Sequence, residues 1–417
     1  MIAVKISEIS NLCNVPKETI RYYVSLGLLF PQRKGSSVIF TEREIADLRY
    51  IGRLKNMHFN LKEIQAITSI KKSFYSIEPS YFKEFKEILI NKRHEVLSRI
   101  TGLNNSVAAI DKELNEVDEN SNIVTTETGV PIAALSILFC PCCCKPLSIQ
   151  NANMTSQYII NGWLVCECGY RAEIKQGIIV TANKCMDSDD HPDVTRDLYR
   201  GLHPDFFKLY QQSYDLIADG LHSLPLHNKI IMEANVNGYF FLYNNFKNLP
   251  KNVLYIVIDK YPEMLFMYKS LLERLNLNFD ILYIADAKVQ YPIRLGSVDY
   301  LIDFFGNAQY QYYCHDSFID DADKYLKNEA AVLGSYMNFD ANAKSRLRIA
   351  QKYKRSSPRT HMFSALKSDY EHLNYDVTSN YVGSVFKTQD QFSFTCHVDG
   401  EEMRIYYYTA KRISRNK

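Results

Sequence analysis

Two tight cysteine clusters constrain this chain more than any other stretch. The first reads Phe139-Cys140-Pro141-Cys142-Cys143-Cys144-Lys145-Pro146-Leu147. The second, about twenty residues on, reads Trp163-Leu164-Val165-Cys166-Glu167-Cys168-Gly169-Tyr170. Two short-spaced cysteine pairs, each in a turn, offer four thiolates to one tetrahedral Zn²⁺. Cys140, Cys143, Cys166 and Cys168 are the expected ligands, with Cys142 or Cys144 able to replace one of them because the run is degenerate. Four thiolates leave no open coordination position, so the metal is expected to be structural. Residues 138–182 carry too few apolar side chains to fold alone, so metal binding is expected to supply part of their stability. Cys13, Cys185, Cys314 and Cys396 are scattered. Clusters of this kind suit a metal site in a reducing cytoplasm better than a disulfide framework.

The chain has 417 residues, a soft prior for two to four domains. At 46% hydrophobic and 23% charged it can bury a core, which excludes a mainly disordered chain. No apolar run of about 18 residues occurs, and Met1-Ile2-Ala3-Val4-Lys5 does not read as a signal peptide. The expectation is a cytoplasmic protein with no membrane partner. A net charge of +2 excludes a globally basic nucleic-acid coat. Residues 1–72, however, hold twelve Lys/Arg against six Asp/Glu, so basic charge is concentrated there. Phosphate neutralisation requires such a local surplus.

That basic segment also carries a helical pattern. Ile6 to Cys13 places Ile6, Ile9 and Leu12/Cys13 on one face. Asn14-Val15 makes a tight turn, and Pro16 suits the first position of a second helix running to Leu26. The second helix buries Ile20 and Tyr23 and exposes Lys17, Thr19, Arg21 and Tyr22, and Gly27 ends it in a left-handed cap. Two helices joined by a short turn make a helix-turn-helix. Gln32 to Phe40 follows as a basic hairpin, or wing. Thr41 with Glu44 forms a capping box for a helix carrying Ile45, Leu48, Ile51 and Leu54. Asn60 then caps a helix from Leu61 to Ile67.

From Lys5 to Ile67 the chain resembles the MerR family of bacterial transcription regulators. The resemblance rests on Ile9 to Val15, Thr19-Ile20-Arg21-Tyr22-Tyr23, Gly27-Leu28-Leu29, Pro31, Arg33, Phe40-Thr41-Glu42 and Phe59-Asn60-Leu61-Lys62-Glu63-Ile64. It implies a winged helix-turn-helix domain over 1–76 that binds double-stranded promoter DNA. It also implies distortion of that DNA, and through it an indirect effect on RNA polymerase. The implied DNA-contacting residues are Lys17, Thr19, Arg21, Tyr22 and Tyr23, with Arg33, Lys34 and Ser36 in the wing. Ser37 and Val38 stand where the family's wing usually carries an aromatic-Arg pair, so wing contacts fall to Arg33, Lys34 and Ser36. Tyr23 has a second reading as a core residue.

Residues 80–118 read as one long helix. Phe82, Phe85, Leu89, Lys92/Arg93, Val96, Ile100, Leu103, Val107, Ile110, Leu114 and Val117 form its seam. From Val96 the steps alternate four and three, a 3.5-residue period that marks a coiled coil. The resemblance implies that this helix pairs antiparallel with its twin in a homodimer, presenting two reading heads to a two-fold operator.

A linker, 119–137, leads to the cysteine segment 138–182. From 195 to 417 strands alternate with helices, which implies a parallel α/β sheet with ligands at the strand C-terminal ends. Strands are expected at Lys229–Glu233, Val253–Asp259, Ile281–Asp286, Val298–Phe305, Ala330–Tyr336, Phe392–His397 and Met403–Tyr408. Helices are expected at Gly238–Phe246, Pro262–Leu275 and Tyr310–Leu326. The order and landmarks resemble a class I S-adenosylmethionine (SAM) methyltransferase. The cysteine segment resembles the zinc ribbon that precedes that domain in bacterial rRNA guanine methyltransferases. The resemblance implies a SAM site in which Asp259 meets the ribose and Asp286-Ala287 the adenine. Glu233, Asn235, Asn237 and Gly238 form the first loop. Asn235 and Asn237 occupy positions where the family has glycine, and Tyr239 stands at the next one, so side chains crowd the methionine end of SAM.

The expected fold is therefore multidomain, α and α/β, combining a winged helix-turn-helix, a coiled-coil helix, a zinc ribbon and a Rossmann-like methyltransferase-fold domain. The first functional expectation is a dimeric, sequence-specific DNA-binding regulator whose C-terminal domain senses a small-molecule effector or serves as a structural module. The alternative is a SAM-dependent methyltransferase with a DNA-binding targeting module. The altered first loop favours the regulator, and the sequence assigns no catalytic residue.

Overall fold

Glu8 caps the first helix by accepting the Lys5 N–H at 2.7 Å, and Asn14 leaves the helix in the left-handed conformation, φ 51°. The protein is described by a computed structural model covering residues 4–35, 37–73, 79–121, 127–185, 191–196, 201–275, 277, 279–388 and 396–413, with the side chains of 73, 79–82 and 116–121 excepted. The chain divides into two units, Met1–Ile123 and Val124–Lys417.

The first unit holds α1 (Ile6–Cys13), α2 (Lys17–Ser25), the antiparallel hairpin β1 (Gln32–Lys34) and β2 (Ser37–Ile39), then α3 (Glu42–Asn56), α4 (Leu61–Ser73) and α5 (Pro79–Ser121). Pro16 is the N-cap of α2 rather than its first helical residue. The Thr41–Glu44 capping box is formed, and Asn60 and Glu63 cap α4 in the same reciprocal way. Ile9, Ile20, Leu28, Phe40, Ile51 and Ile64 are buried at the centre. Phe85, Ile88 and Leu89 of α5 pack against that core. Lys92 closes the joint, pairing with Glu63 at 2.7 Å and Glu95 at 2.5 Å above the Phe59 ring. At 1.5 Å per residue α5 is about 64 Å long. Beyond Lys92 its seam is bare: Ile100, Leu103, Val107, Ile110 and Leu114 are 48–66% exposed. The seam ends Phe82 and Val117 lie outside the described side chains.

The second unit is built on one continuous sheet. Its N-terminal part contributes β3 (Val130–Pro131), β4 (Ser148–Met154), β5 (Tyr158–Val165), β6 (Arg171–Lys175) and β7 (Ile178–Val180). Helix α6 (Pro204–His222) leads to β8 (Ile230–Ala234), α7 (Leu242–Asn245), β9 (Leu254–Asp259), α8 (Pro262–Glu273) and β10 (Asp280–Ala285). Then come β11 (Val298–Phe304), α9 (Gly306–Gln311), α10 (Phe318–Ala322), β12 (Leu326–Asn338), α11 (Lys344–Lys352), α12 (Phe363–His372), β13 (Tyr375–Val385) and β14 (Met403–Arg412). The strand order is β13-β14-β12-β11-β8-β9-β10-β7-β6-β5-β3, with β4 on β5. Strands β8 to β12 run parallel, and β14 enters antiparallel between β12 and β13. This is an open, Rossmann-type sheet, its parallel strands ordered β10-β9-β8-β11-β12. Period-two alternation sends Tyr255 and Val257 of β9 to one apolar layer and Ile256 and Ile258 to the other.

Three expectations need correction. The ribbon does not stand apart: β7 pairs in parallel with β10, Ile179 opposite Ile284, so residues 138–182 extend the sheet. Strand β14 is flanked by β12 and by β13, both antiparallel to it, and β13 was not among the expected strands. Residues 389–395 lie outside the described residues, and His397 is not in a strand. The helices expected at 238–246 and 310–326 are short pieces. α7 starts only at Leu242, because Glu233 captures the N–H groups of Phe241 and Leu242. α9 starts at Gly306, where buried Asp303 accepts from Asn307 N at 2.7 Å.

Candidate functional sites

In the first unit, α2 turns Ile20 and Tyr23 inward and leaves Lys17, Arg21 and Tyr22 exposed, with Thr19 half-buried. Tyr23, expected among the DNA contacts, has its ring in the core, and burial raises its phenol pKa. Arg21 is paired with Glu18, one turn earlier. Arg33 and Lys34 are exposed on the hairpin. Ser36 lies outside the described residues.

In the second unit, the Cys140 loop and the Cys166–Cys168 turn meet. The Sγ atoms of Cys140, Cys143, Cys166 and Cys168 all lie within 4.8 Å of one another, with Cys140–Cys168 at 3.4 Å and Cys143–Cys166 at 3.3 Å. Tetrahedral Zn–S bonds of about 2.3 Å separate sulfurs by about 3.8 Å, so this donor set fits the ion. Cys142 and Cys144 are exposed and outside the cluster. Local backbone explains the placement. Cys140 N bonds Lys145 O, Cys166 N bonds Tyr170 O, and Gly169 takes φ 95° to close the second turn. The Tyr170 backbone N–H, then the neighbouring thiols, hold Cys168 down at about 7. The first loop is tied to the chain beyond β10 by Phe139 N on Pro292 O and Arg294 N on Ile137 O.

A cavity of about 440 Å³ opens at the carboxyl ends of β8 to β11, where open α/β sheets bind ligands. Asn235, with φ 60°, makes the left-handed turn that its position requires, and Asn237, Asp259 and Ala287 join it in the wall. The groups expected to hold SAM are already engaged. Asp259 is 1% exposed, and its two oxygens take the N–H groups of Asn237 and Tyr261. Asp286 accepts from Thr181 Oγ1, Asn183 Nδ2, Lys288 N and Gln290 N. Ala287 N is bonded to Asn183 O. Asn237 accepts from Asp193 N through its side chain, and Arg196 clamps the Asn237 and Gly238 carbonyls at 2.6 and 2.9 Å. Glu233 lies beneath the loop, bonded to Phe241 N, Leu242 N and Tyr255 Oη. Asp286 accepts four hydrogen bonds from the chain itself, two on each oxygen, whereas Asp259 accepts one on each and stays in the cavity wall. Lys184, Lys260, Lys288 and Arg355 also line the cavity and were not anticipated. Lys260 directly follows Asp259 in sequence, which was the available signal.

Burial pushes the Glu233 carboxyl up to about 7, against an ordinary value of 4.5. Between those values the folded state holds the extra proton. Stability therefore falls as pH rises from about 4.5 to 7, and the cost is complete above that window. For Glu233→Gln that slope is absent. The stability gap between wild type and variant is expected to narrow by about 2–3 kcal/mol between pH 5 and pH 8. Urea melts at the two pH values measure it, and a pH-independent gap would contradict the raised carboxyl.

Comparison with known proteins covers the chain in parts. Residues 4–69 match the family described as MerR HTH family regulatory protein. The mercuric resistance operon regulatory protein of Bacillus cereus is 34% identical over 68 residues, 16% of this chain. The chain spans about half, 52%, of that relative's length. A MerR-family transcriptional regulator structure from Bacillus cereus aligns with TM-score 0.25 and 22% identity over 30% of this chain and 88% of its own. A Haemonchus contortus phosphoethanolamine N-methyltransferase 2, solved with S-adenosyl-L-methionine, aligns with TM-score 0.33 and 10% identity over 48% of this chain and 52% of its own. Among the described residues no helix is long and apolar enough to cross a membrane. The N-terminal residues 4–69 are thus a MerR-family helix-turn-helix domain.

Proposed function

We propose that the protein is a dimeric, sequence-specific DNA-binding transcriptional regulator of MerR type. Its second unit acts as an effector-sensing or structural module, stabilised by a structural zinc ion on Cys140, Cys143, Cys166 and Cys168. The observation that carries this reading is the outward display of Lys17, Arg21 and Tyr22 on a helix whose opposite face is locked into a core, beside the exposed Arg33 and Lys34 of the hairpin. Cations so placed reach phosphates and base edges, and only the base contacts specify sequence. The exposed apolar seam of α5 supports pairing with a second copy, which places two heads on a two-fold promoter site. Distortion of that promoter would act on RNA polymerase indirectly. Methyl transfer is the weaker reading, because Asn235 and Asn237 stand in the first loop where the methyltransferase family has glycine, and Asp286 is filled by four of the chain's own donors.

Arg21→Ala is expected to weaken operator binding about 10- to 100-fold in a mobility-shift titration and to relax specificity at one base position. The Glu18 pair is exposed, so its loss costs the fold little. Unchanged operator affinity would remove α2 from the DNA-reading role.

A further inference from the structure

We propose that Lys92 is a positioning residue for DNA recognition. Its ion pair with Glu63 fixes the angle between the helix-turn-helix head and α5, and through that angle the half-site spacing that a dimer selects. The inference rests on the regulator reading above and deepens it, from which groups touch DNA to how far apart two heads are held.

A lysine at this position needs a reason. Phe85, Ile88 and Leu89 of α5 pack on the core of the head, and position 92 continues the same face one turn further on. An apolar side chain would extend that contact, yet the position holds an ammonium that is only 7% exposed. Lys92 is the one buried residue among the described side chains of α5. Its Nζ lies 2.7 Å from Glu63 of α4, 2.5 Å from Glu95 of α5 itself and 5.1 Å from the centre of the Phe59 ring. A buried ion pair adds little net stability, but it admits one geometry where apolar surfaces can slide.

Glu63 carries that geometry into the head. Its Oε1 takes Lys92 while its Oε2 accepts the Asn60 N–H at 2.7 Å, so one carboxylate both caps α4 and holds α5. Helix α4 is tied in turn to the end of α2, by Gln65 Nε2 on Leu26 O at 3.0 Å and Lys72 Nζ on Leu28 O at 2.9 Å. A contiguous polar path therefore joins α5 to the helix that displays Arg21. The exposed seam from Ile100 to Leu114 is centred on Val107, about 22 Å from Lys92 at 1.5 Å per residue. A swing of about 10° at the joint moves the head by about 4 Å against that centre, and in a two-fold dimer changes the separation of the heads by about two base-pair steps.

The test uses the full chain and an operator selected by the wild type from a random duplex pool, then shortened or lengthened at its centre by up to about two base pairs. In mobility-shift titrations the wild type is expected to prefer the selected spacing by at least about 10-fold, because a misplaced second head adds no avidity. Lys92→Met is expected to cut that preference to about threefold or less, with dimerisation and affinity for an isolated half-site unchanged. Lys92→Arg, which still pairs with carboxylates, is expected to keep it. Glu63→Gln retains the cap of α4 and is expected to behave as Lys92→Met, and it carries the test where Lys92→Met does not fold. Glu95→Gln, whose pair lies within α5, is expected to keep the preference. The proposal is overturned if Lys92→Met or Glu63→Gln discriminates spacing as the wild type does, if Glu95→Gln flattens the preference as fully, or if the wild type binds all spacings alike. Operator binding with spacing preference intact in the variants removes this inference alone. A wild type that selects no duplex removes the regulator reading, and this inference with it.

Discussion

Cys140→Ser is expected to abolish stoichiometric zinc binding and to lower the melting temperature of the second unit by about 10 °C. Cys140 is the buried member of the four-sulfur cluster, so its loss cannot be offset by a water at an exposed position. Structural zinc binding is folding free energy. The ribbon is not an appendage that can unravel alone: β7 shares a ladder with β10, and Thr181 and Asn183 bond Asp286. A loss of about 3–5 kcal/mol then shifts the whole transition of a unit this large by about 10 °C. Elemental analysis and differential scanning calorimetry read the two effects. Full zinc retention would move the ligand set to Cys142 or Cys144. Zinc loss with an unchanged melt would mean that the ribbon unfolds independently of the sheet.

Leu103→Glu/Ile110→Glu is expected to convert the protein to a 48.4 kDa monomer and to lower operator affinity by at least about 100-fold. Both side chains are more than half exposed on the single chain, so the substitutions leave its core untouched. In a dimer they would set charges into an apolar seam, where an unpaired charge is strongly unfavourable. Operator affinity falls because a lone head loses the effective concentration supplied by its linked twin. Sedimentation equilibrium and a mobility shift on one preparation test both claims. A variant that still sediments as a dimer would show that α5 is not the interface.

Local chemistry was legible in the sequence and long-range pairing was not. Asn14, Thr41 with Glu44 and Asn60 with Glu63 mark helix ends because capping acts within a few residues. The grouping of Cys140, Cys143, Cys166 and Cys168 was legible because thiolate pairs in turns have few other uses. Strand β13 was not. Its middle residues Thr378 to Tyr381 are exposed, so it lacks the apolar alternation that marks a half-buried strand, and only the ladder to β14 defines it. The continuity of ribbon and sheet was equally hidden, since Ile179 meets Ile284 across about a hundred residues. The fate of the acids depended on the same distance. Asp259 and Asp286 look available in sequence, but Asp286 is claimed by Thr181 and Asn183 from the ribbon's exit and Asp259 by the loop that follows β8.

The parallel pairing of β7 with β10 also orders events in time. The fourth cysteine of the cluster leaves the ribosome long before β10 does. Synthesis at about 5–20 residues per second puts roughly 5 to 20 s between the apolar Ile178-Ile179-Val180 edge and the strand that covers it. An uncovered apolar edge is a template for any extended chain nearby. A ribbon already closed on its metal would hold that edge short and in one register, so the nascent chain would carry its own seed for the sheet that follows.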